Sequence, residues 1–317
     1  MRILITGGSG CVGHYLVERL LENADNRLFL VLRAPERLDK ALRTHARVTI
    51  IEADVRETGE ISEAIDEVDV AILAATAWGG GDTHEVIVSA NVALMKMLSK
   101  KSCQRVLYFS TASILERGGK LLEAAREHGT EYIKSKQILV TEAEGIDVPF
   151  RLIGLFPTLI LGGCAEKSKK PLSHFANLLK EAKKWVWLGR FFSIHGRMHI
   201  VHAAEIAEIV VYLCNAEFKP EYRRIVLGNP AQTIDAWLNK LCMHVGKHHI
   251  AFIKVTPAIA EFIIKLFRIE LSPWDRYCML NPDQSYLEAR DASSFGLEFN
   301  PPEFSKTLTE AGIAGRN

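Results

Sequence analysis

The sequence lacks three features that would each point to a class of protein. Its 317 residues carry a net charge of only +1 without a long basic run, so a nucleic-acid-binding surface has no electrostatic basis. Its six cysteines form no CxxC pair and do not pair with histidine at zinc-ligand spacing, which predicts reduced thiols and no metal site. The longest apolar stretch, 256–271, contains three charged residues and is too short for a membrane span. We expect a buried helix there, with a membrane-surface helix as the alternative.

The composition is that of a globular protein with a sizeable core, since 48% of the residues are apolar and 24% are charged. The chain opens directly on a strand pattern. We therefore expect no signal or transit peptide and a cytoplasmic location.

Strand and helix patterns alternate through the first half of the chain. This alternation predicts an α/β fold with a Rossmann-type, doubly wound parallel sheet. We expect a nucleotide-binding domain over 1–162 and a smaller substrate-binding lobe over 163–317, from which about 190–215 and 224–228 return to the first domain. The predicted strands are 2–6, 28–32, 48–52, 70–74, 105–109, 150–153 and 224–227, and the predicted helices are 10–21, 61–68, 85–100, 121–127, 132–144, 205–215 and 233–245.

Glycines dominate the segment after the first strand pattern. Gly8-x-Gly10-x-x-Gly13 fits the dinucleotide fingerprint in its required setting, between a strand and a helix. Glycine reaches positive φ cheaply, and without a Cβ it lets a pyrophosphate approach the backbone. The N-terminus of the following helix offers unpaired N–H groups to that anion. A dinucleotide site is therefore predicted, against the alternative of a glycine-rich turn without a ligand.

The end of the second strand pattern indicates which nucleotide binds. An acidic residue there would bind the ribose 2′-hydroxyl of NAD, whereas this sequence has Arg33, followed by Arg37. Either arginine could pair with a 2′-phosphate, or both are ordinary surface charges. Asp54 could accept a hydrogen bond from the adenine amino group, or cap a helix. We predict NADP, with NAD as the alternative.

Tyr132 and Lys136 stand four residues apart, on one face of a predicted helix. A free tyrosine has a pKa near ~10, and a nearby ammonium would lower it towards a value useful for acid–base catalysis. Ser110 and Thr111 end the fifth strand pattern, where a hydroxyl could donate to a substrate carbonyl oxygen as negative charge develops. Together these residues predict hydride-transfer chemistry at a carbonyl or hydroxyl carbon.

These motifs resemble those of the extended short-chain dehydrogenase/reductases, the superfamily of NAD-dependent epimerase/dehydratases. The resemblance covers about 1–245 well and the last 70 residues loosely. The matching elements are Thr6-Gly7-x-x-Gly10-x-x-Gly13 for the family's TGxxGxxG, Tyr132-x-x-x-Lys136 for its YxxxK, Ser110-Thr111 for its Ser/Thr element, Asn91 for its helix asparagine, and the segments 69–75, 156–162 and 197–207.

The resemblance implies that Tyr132 is the acid–base residue, that Thr111, with Ser110 beside it, polarises the substrate, and that Lys136 holds the nicotinamide ribose. It also implies that Asn91 anchors a water-linked proton path, and that a homodimer forms through the helices at 85–100 and 132–145. The expected cofactor contacts are Gly7, Gly10, Cys11, Val12, Gly13, Arg33, Arg37, Asp54, Val55, Ala74, Ala75, Thr76, Tyr132, Lys136 and Pro157.

The sequence also departs from the family pattern. Phe156 replaces a frequent arginine, and the short segment 116–130 lacks the Pro- and Glu-bearing loop of sugar-nucleotide enzymes. Cys11 is unusual in the glycine turn; we interpret it as a small packing residue, although a helix N-terminus tends to lower a thiol pKa. Trp78, in a glycine-rich loop, is interpreted as a packing residue, with substrate contact as the alternative.

The expected function is an NADP(H)-dependent oxidoreductase that acts on a carbonyl or secondary alcohol. The alternatives are an NAD-dependent nucleotide-sugar epimerase or dehydratase and, from another class, a cofactor-sensing or assembly protein without turnover. The expected partner is a small molecule. Four aromatic residues of the lobe and the apolar helix expected within 256–271 favour an apolar or aromatic one. The aromatic residues are Trp185, Trp187, Phe191 and Phe192.

Overall fold

The computed structural model describes residues 1–64, 67–165, 170–267 and 270–315. Its main feature is an eight-stranded sheet in the order β14-β11-β6-β5-β4-β1-β2-β3, in which all neighbouring strands are parallel. The strands are β1 Arg2–Thr6, β2 Arg27–Leu32, β3 Val48–Glu52, β4 Val70–Leu73, β5 Arg105–Phe109, β6 Arg151–Pro157, β7 Leu159–Leu161, β8 Phe192–Ile194, β9 Arg197–Met198, β10 Ile200–His202, β11 Arg224–Leu227, β12 Gln232–Thr233, β13 Ile253–Val255 and β14 Ala289–Arg290.

The strand order confirms the predicted Rossmann-type α/β fold. The chain runs outward from β1 through β2 and β3, and then returns to add β4 on the other side of β1. A crevice opens where the order reverses, at the carboxyl ends of β1 and β4, and this is where such sheets bind ligands.

Helices cover both faces of the sheet. On one face α4 and α6 pack over a core that includes Leu94 and Leu139, and on the other α1 and α9 pack over one that includes Leu16 and Ile206. The helices are α1 Cys11–Leu21, α2 Lys40–Arg43, α3 Thr58–Glu63, α4 Ala90–Leu98, α5 Glu123–His128, α6 Glu131–Gly145, α7 His174–Ala182, α8 Val186–Gly189, α9 Ala203–Asn215, α10 Ile234–His244, α11 Pro257–Phe267, α12 Pro273–Leu280 and α13 Phe304–Glu310.

Several predicted elements are displaced. The helix expected at 61–68 lies at Thr58–Glu63, with 65 and 66 outside the described residues, and the sixth strand continues to Pro157 because it pairs with both β5 and β11. The helix expected at 85–100 begins with a π-helical turn, Glu85–Ser89. Within 256–271, where a buried helix is expected, α11 forms; the side chains described on it are half-buried or exposed, and its burial stays a prediction because four of its apolar side chains lie outside the described residues.

The lobe after residue 163 has a small core of its own, which joins α7, α10 and α13. Two strands beyond 163 join the main sheet, because β11 pairs with β6 and β14 pairs with β11. The return of β14 has no counterpart among the predicted elements, and the domain boundary at 162/163 stays a prediction. Across the described residues, no helix combines the length and the apolar character needed to cross a bilayer.

Candidate active site

The turn between β1 and α1 depends on two glycines, Gly7 and Gly13. Gly7 has φ +74°, and a Cβ there would lie 2.6 Å from the carbonyl carbon of Ala74 on the neighbouring strand segment. A Cβ on Gly13 would lie 2.2 Å from the Gly7 oxygen, so the helix could not begin so close to the strand. At Gly8 a Cβ would meet only side chains, at 3.6 Å or more. The structure therefore supports the TGxxGxxG pattern, with Gly7 rather than Gly8 as its first required glycine.

This turn is suited to a dinucleotide. The N-cap of α1 is Gly10, which has no side chain to bond the first N–H groups of the helix, so these groups stay available to an anion. A cleft of about 1380 Å³ extends from Gly7 and Gly10. Nine of the predicted cofactor residues line it, namely Gly7, Gly10, Arg33, Arg37, Asp54, Val55, Ala74, Ala75 and Thr76.

One end of the cleft, which we call the cationic end, has four basic side chains against the three carboxylates of Glu36, Asp39 and Asp54. Arg33 and Arg37 line it as predicted, together with Lys40 and Arg43, which the sequence reasoning missed. The available indication was the closeness of four basic residues within 33–43, directly after the second strand. Arg33 is largely exposed, with Nη1 3.6 Å from the Asp54 carboxylate.

Asp54 is held by a second arginine. Its carboxylate accepts hydrogen bonds from the side chain of Arg56 at 2.9 and 3.0 Å and from the Arg56 backbone N–H at 3.0 Å. These bonds hold the pKa of Asp54 below its usual value. Asp54 does not cap α3, whose N-cap is Glu57. Its proposed bond to the adenine amino group stays a prediction.

Cys11 packs against the lobe. Its Sγ lies 3.6 Å from the position a Cβ on Gly162 would occupy and contacts the backbone of Ser173. Burial raises the pKa of the Cys11 thiol to about 12, which outweighs the general tendency of a helix N-terminus to lower it. Cys11 does not line the cleft, and its environment is that of a packing residue.

The two hydroxyls after β5 have different surroundings. Ser110 is buried, and its Oγ donates to the backbone oxygen of Lys136 at 3.3 Å, which joins the strand end to α6. Thr111 is half-buried; its Oγ1 accepts from the N–H of Ser113 and donates to the Ser113 hydroxyl, both at 3.3 Å. Thr111 is therefore the more accessible hydroxyl for a substrate.

Tyr132 and Lys136 lie together on α6, with Lys136 Nζ 5.7 Å from the centre of the Tyr132 ring. Lys136 is buried, and its Nζ donates to the backbone oxygen of Phe109 at 2.8 Å. Burial lowers the pKa of Lys136 to about 7 and raises that of Tyr132. The expected lowering of the tyrosine pKa by the ammonium is thus absent here, because removal from water favours the neutral form of both groups.

Asn91 stabilises the π-helical turn that precedes α4. Its side-chain N–H₂ donates to the backbone oxygens of Val86 at 3.2 Å and Ile87 at 2.9 Å. Such turns leave carbonyl groups without ordinary helical partners and are frequent at functional sites. The turn packs against α6, the helix that carries Tyr132, so Asn91 stabilises a segment that contacts this helix.

Trp78 covers Tyr132. Their rings are stacked, with centres 4.1 Å apart and planes at 15°, and the ring of His174 stacks on Trp78 at 4.7 Å. Trp78 is nevertheless 58% exposed. His174 begins α7, so this stack joins the loop after β4 to the lobe directly over the predicted acid–base residue.

Other predicted residues lie outside the cleft. Val12 packs into the core beneath α1, and Pro157 is buried in β6 opposite Leu227. Trp185 and Trp187, expected near the substrate, do not line the cleft and are largely exposed, so their contact with a substrate stays a prediction. α4 and the end of α6 border a shallow surface cleft, and the predicted homodimer through these helices stays a prediction.

Sequence comparisons agree with this geometry. Residues 7–144 match the model of a family described as NAD(P)H-binding. The probable pinoresinol-lariciresinol reductase 3 of Arabidopsis thaliana is 27% identical over 163 residues, or 50% of this chain. The match spans about half, 49%, of the length of that curated relative.

Solved structures show the same fold over nearly the whole chain. A nucleoside-diphosphate-sugar epimerase from Pseudomonas aeruginosa has a TM-score of 0.68 at 14% identity, covering 98% of this chain and 96% of its own. The UDP-glucuronic acid 4-epimerase from Bacillus cereus, in complex with UDP-glucuronic acid and NAD, has a TM-score of 0.65 at 15% identity, covering 99% and 98%. The chain therefore has an NAD(P)H-binding domain, with NAD or NADP as its cofactor, and the fold of the NAD-dependent epimerase/dehydratases, the extended short-chain dehydrogenase/reductases that its motifs resemble.

Proposed function

We propose that the protein is an NADP(H)-dependent oxidoreductase that interconverts a carbonyl group and a secondary alcohol. The observation that carries the proposal is the pairing of Tyr132 with buried Lys136 on α6, beside the strand end that bears Thr111. Acid–base, ribose-binding and polarising groups for this reaction are thus available from two neighbouring elements. The Arabidopsis relative, named a probable reductase, supports the same class of chemistry.

The residues divide the reaction between them. When bound, the dinucleotide supplies or accepts the hydride at the substrate carbon. In the reductive direction the Thr111 hydroxyl donates a hydrogen bond to the carbonyl oxygen, and Tyr132 transfers its phenolic proton to that oxygen. The raised pKa of Tyr132 keeps the phenol protonated at neutral pH, which suits this acid role. Lys136, with its pKa near 7, gains a charge readily and then stabilises the phenolate.

The cationic end of the cleft supports the preference for NADP. Arg33, Arg37, Lys40 and Arg43 lie where the strand order predicts the adenosine ribose, after β2. A 2′-phosphate there would make charge-assisted hydrogen bonds, whereas the 2′-hydroxyl of NAD would leave the guanidinium groups with less to bind.

Replacing Tyr132 with phenylalanine tests the chemistry. Tyr132→Phe removes only the phenolic proton, so we expect NADPH binding to persist while turnover falls by roughly 10²–10⁴-fold. The measurement is NADPH absorbance with a panel of aromatic and aliphatic ketones. Tyr277→Phe, at a half-buried tyrosine of α12, is the matched control and should keep full activity. Unchanged turnover in Tyr132→Phe would refute the assignment.

Replacing Arg33 with alanine tests the cofactor. We expect Arg33→Ala to weaken NADP binding by about tenfold or more and to leave NAD binding nearly unchanged, because only NADP carries the 2′-phosphate. Arg27→Ala removes an exposed charge at the opposite end of the same strand and should affect neither. Tighter binding of NAD than of NADP by the unaltered protein would contradict the preference.

A cofactor-release assay separates this function from its alternatives. A reductase exchanges its cofactor every turnover, so the denatured protein should release little nucleotide. Stoichiometric NAD in the supernatant would favour an epimerase or dehydratase cycle, in which the cofactor is reoxidised in place. NADPH binding without turnover on any tested carbonyl would favour a cofactor-sensing protein.

A further inference from the structure

Two segments of the lobe, 174–190 and 247–254, contain half of the large apolar side chains that are exposed among the described residues, and we call this group the lobe patch. It consists of Leu178, Trp185, Trp187, Leu188, Ile250 and Phe252, which are 38–66% exposed. Exposed apolar groups of this size usually mark an interaction surface.

Two chain segments form the patch, and the structure joins them. The N–H groups of Ile250 and Ala251 donate to the backbone oxygen of Arg190 at 2.8 and 3.2 Å, and β13 pairs with β8 immediately beyond. The rings of Phe191 and Phe252 lie 5.4 Å apart. Ala251 adopts φ 54°, a left-handed conformation that alanine disfavours, between Ile250 and Phe252. The protein thus holds these apolar side chains at the surface against local backbone preference.

Cations accompany these side chains. The segments 174–190 and 247–254 contain six lysines and arginines and one acidic residue, Glu181. The whole chain has 39 basic and 38 acidic residues, so the part outside these two segments has four more acidic residues than basic ones. These two segments therefore carry a net charge of +5, against −4 for the rest of the chain. The six basic residues of the two segments are Lys180, Lys183, Lys184, Arg190, Lys247 and Lys254.

This charge decides which partner fits. An isologous contact between two copies through the patch would set the cations of one against those of the other. A negatively charged apolar surface fits instead. Tryptophan has an apolar body and one polar N–H, and lysine reaches with its ammonium beyond an apolar stem, so both are suited to the boundary between headgroups and acyl chains.

We propose that the lobe patch docks the protein onto a bilayer containing anionic lipids. Trp185 and Trp187 enter the interface, while the surrounding lysines pair with lipid phosphates. The patch adjoins the candidate site, because α7 begins at His174, which stacks on Trp78 over Tyr132. The docking does not depend on the redox chemistry.

Vesicle co-sedimentation of the full chain tests the proposal. We expect binding to phosphatidylcholine vesicles that contain phosphatidylglycerol, little binding to phosphatidylcholine alone, and weaker binding as salt rises. Trp185→Ser with Trp187→Ser should weaken the vesicle affinity by about tenfold or more. Leu280→Ser with Leu287→Ser, at two apolar side chains exposed outside 174–190 and 247–254, is the matched control and should bind normally.

A charge-reversal pair gives an independent measurement if the tryptophan variant does not fold. Lys180→Glu with Lys254→Glu should lose binding to anionic vesicles, whereas Lys100→Glu with Lys219→Glu, at exposed lysines outside the patch, should lose much less. No vesicle binding by the unaltered protein, or equal losses in patch and control variants, would overturn the proposal. So would a self-association in solution that the Trp185/Trp187 variant abolishes, since the patch would then join two copies.

Discussion

The glycine turn of residues 7–13 and the lobe after residue 163 are held in place by interactions of different range. In the turn, the closest approaches join Gly13 to Gly7 and Gly7 to the adjacent strand end. Beyond residue 163, single polar groups join distant segments: the backbone N–H of Ala292 donates to the Glu205 carboxylate, and that of Tyr286 donates to the His199 ring, each across 87 residues. The glycine pattern of the turn is therefore recognisable in the local sequence, although its fit against Ala74 is long-range, whereas no local pattern indicates the polar pairs beyond residue 163.

The largest effect is expected at Gly13. Gly13→Ala places a Cβ 2.2 Å from the Gly7 oxygen, so the helix must move away from the strand, at a cost of about 3 kcal/mol or more in the free energy of unfolding. Gly8→Ala, within the same turn, meets only side chains at 3.6 Å and should cost less than about 1 kcal/mol. Urea denaturation of both variants measures the difference. Equal losses would show that the turn does not discriminate between these glycines.

A smaller loss of stability is expected from removing the Glu205 carboxylate, which joins α9 to the segment after β14. Glu205 is buried and accepts from the Asn229 side chain at 2.6 Å and from the N–H of Ala292 at 3.1 Å. Glu205→Ala leaves both donors unpaired and should lower the free energy of unfolding by about 1–3 kcal/mol.

Glu208, one turn further along α9, provides the control for Glu205. It pairs with Arg19 near the surface, and Glu208→Ala should cost less than about 1 kcal/mol. If the two variants were equally stable, the buried carboxylate would not be what joins these segments.

The sequence alone predicted most of the sheet and part of the site, for physical reasons. Apolar runs such as 28–32 predict strands clearly, because a strand that is covered on both faces of a parallel sheet is apolar along its whole length. The tyrosine–lysine pair is visible because helix periodicity puts residues 132 and 136 on one face. The π-helical turn at 85–89 has the same apolar spacing as an ordinary helix, and so sequence periodicity does not distinguish it.

The features that were missed depend on distant partners. β14 is two residues long and exists only because β11 offers it an edge. The aromatic residues near 185 were assigned to the substrate by composition, whereas their position depends on which face of the lobe packs inward. The pKa of Lys136 likewise follows from burial that the motif does not encode.

The pH dependence of stability should reflect Lys136. Its pKa is near 7 in the folded protein, against 10.5 ordinarily, so between these values the unfolded chain binds a proton that the folded protein does not. The free energy of unfolding should therefore rise with pH from about 7 to 10, by up to about 1.4 kcal/mol per pH unit. Lys136→Met should remove this slope and Lys134→Met, on the same helix, should keep it. Parallel pH profiles for the unaltered protein and Lys136→Met would contradict the depressed pKa.

The smallest effect concerns the contact between the two regions. Trp78 follows β4 and His174 begins the lobe helix α7, and their stacked rings join the two across the candidate site. A stack this exposed should contribute about 0.5–1 kcal/mol, measured as the coupling energy in a double-mutant cycle of Trp78→Ala and His174→Ala. The tilted His128–Tyr277 pair, 6.4 Å apart, is the control and should show less coupling. Zero coupling at Trp78 would mean that the lobe is positioned by its long-range polar bonds alone, and that the indole is free to leave Tyr132 when a substrate enters.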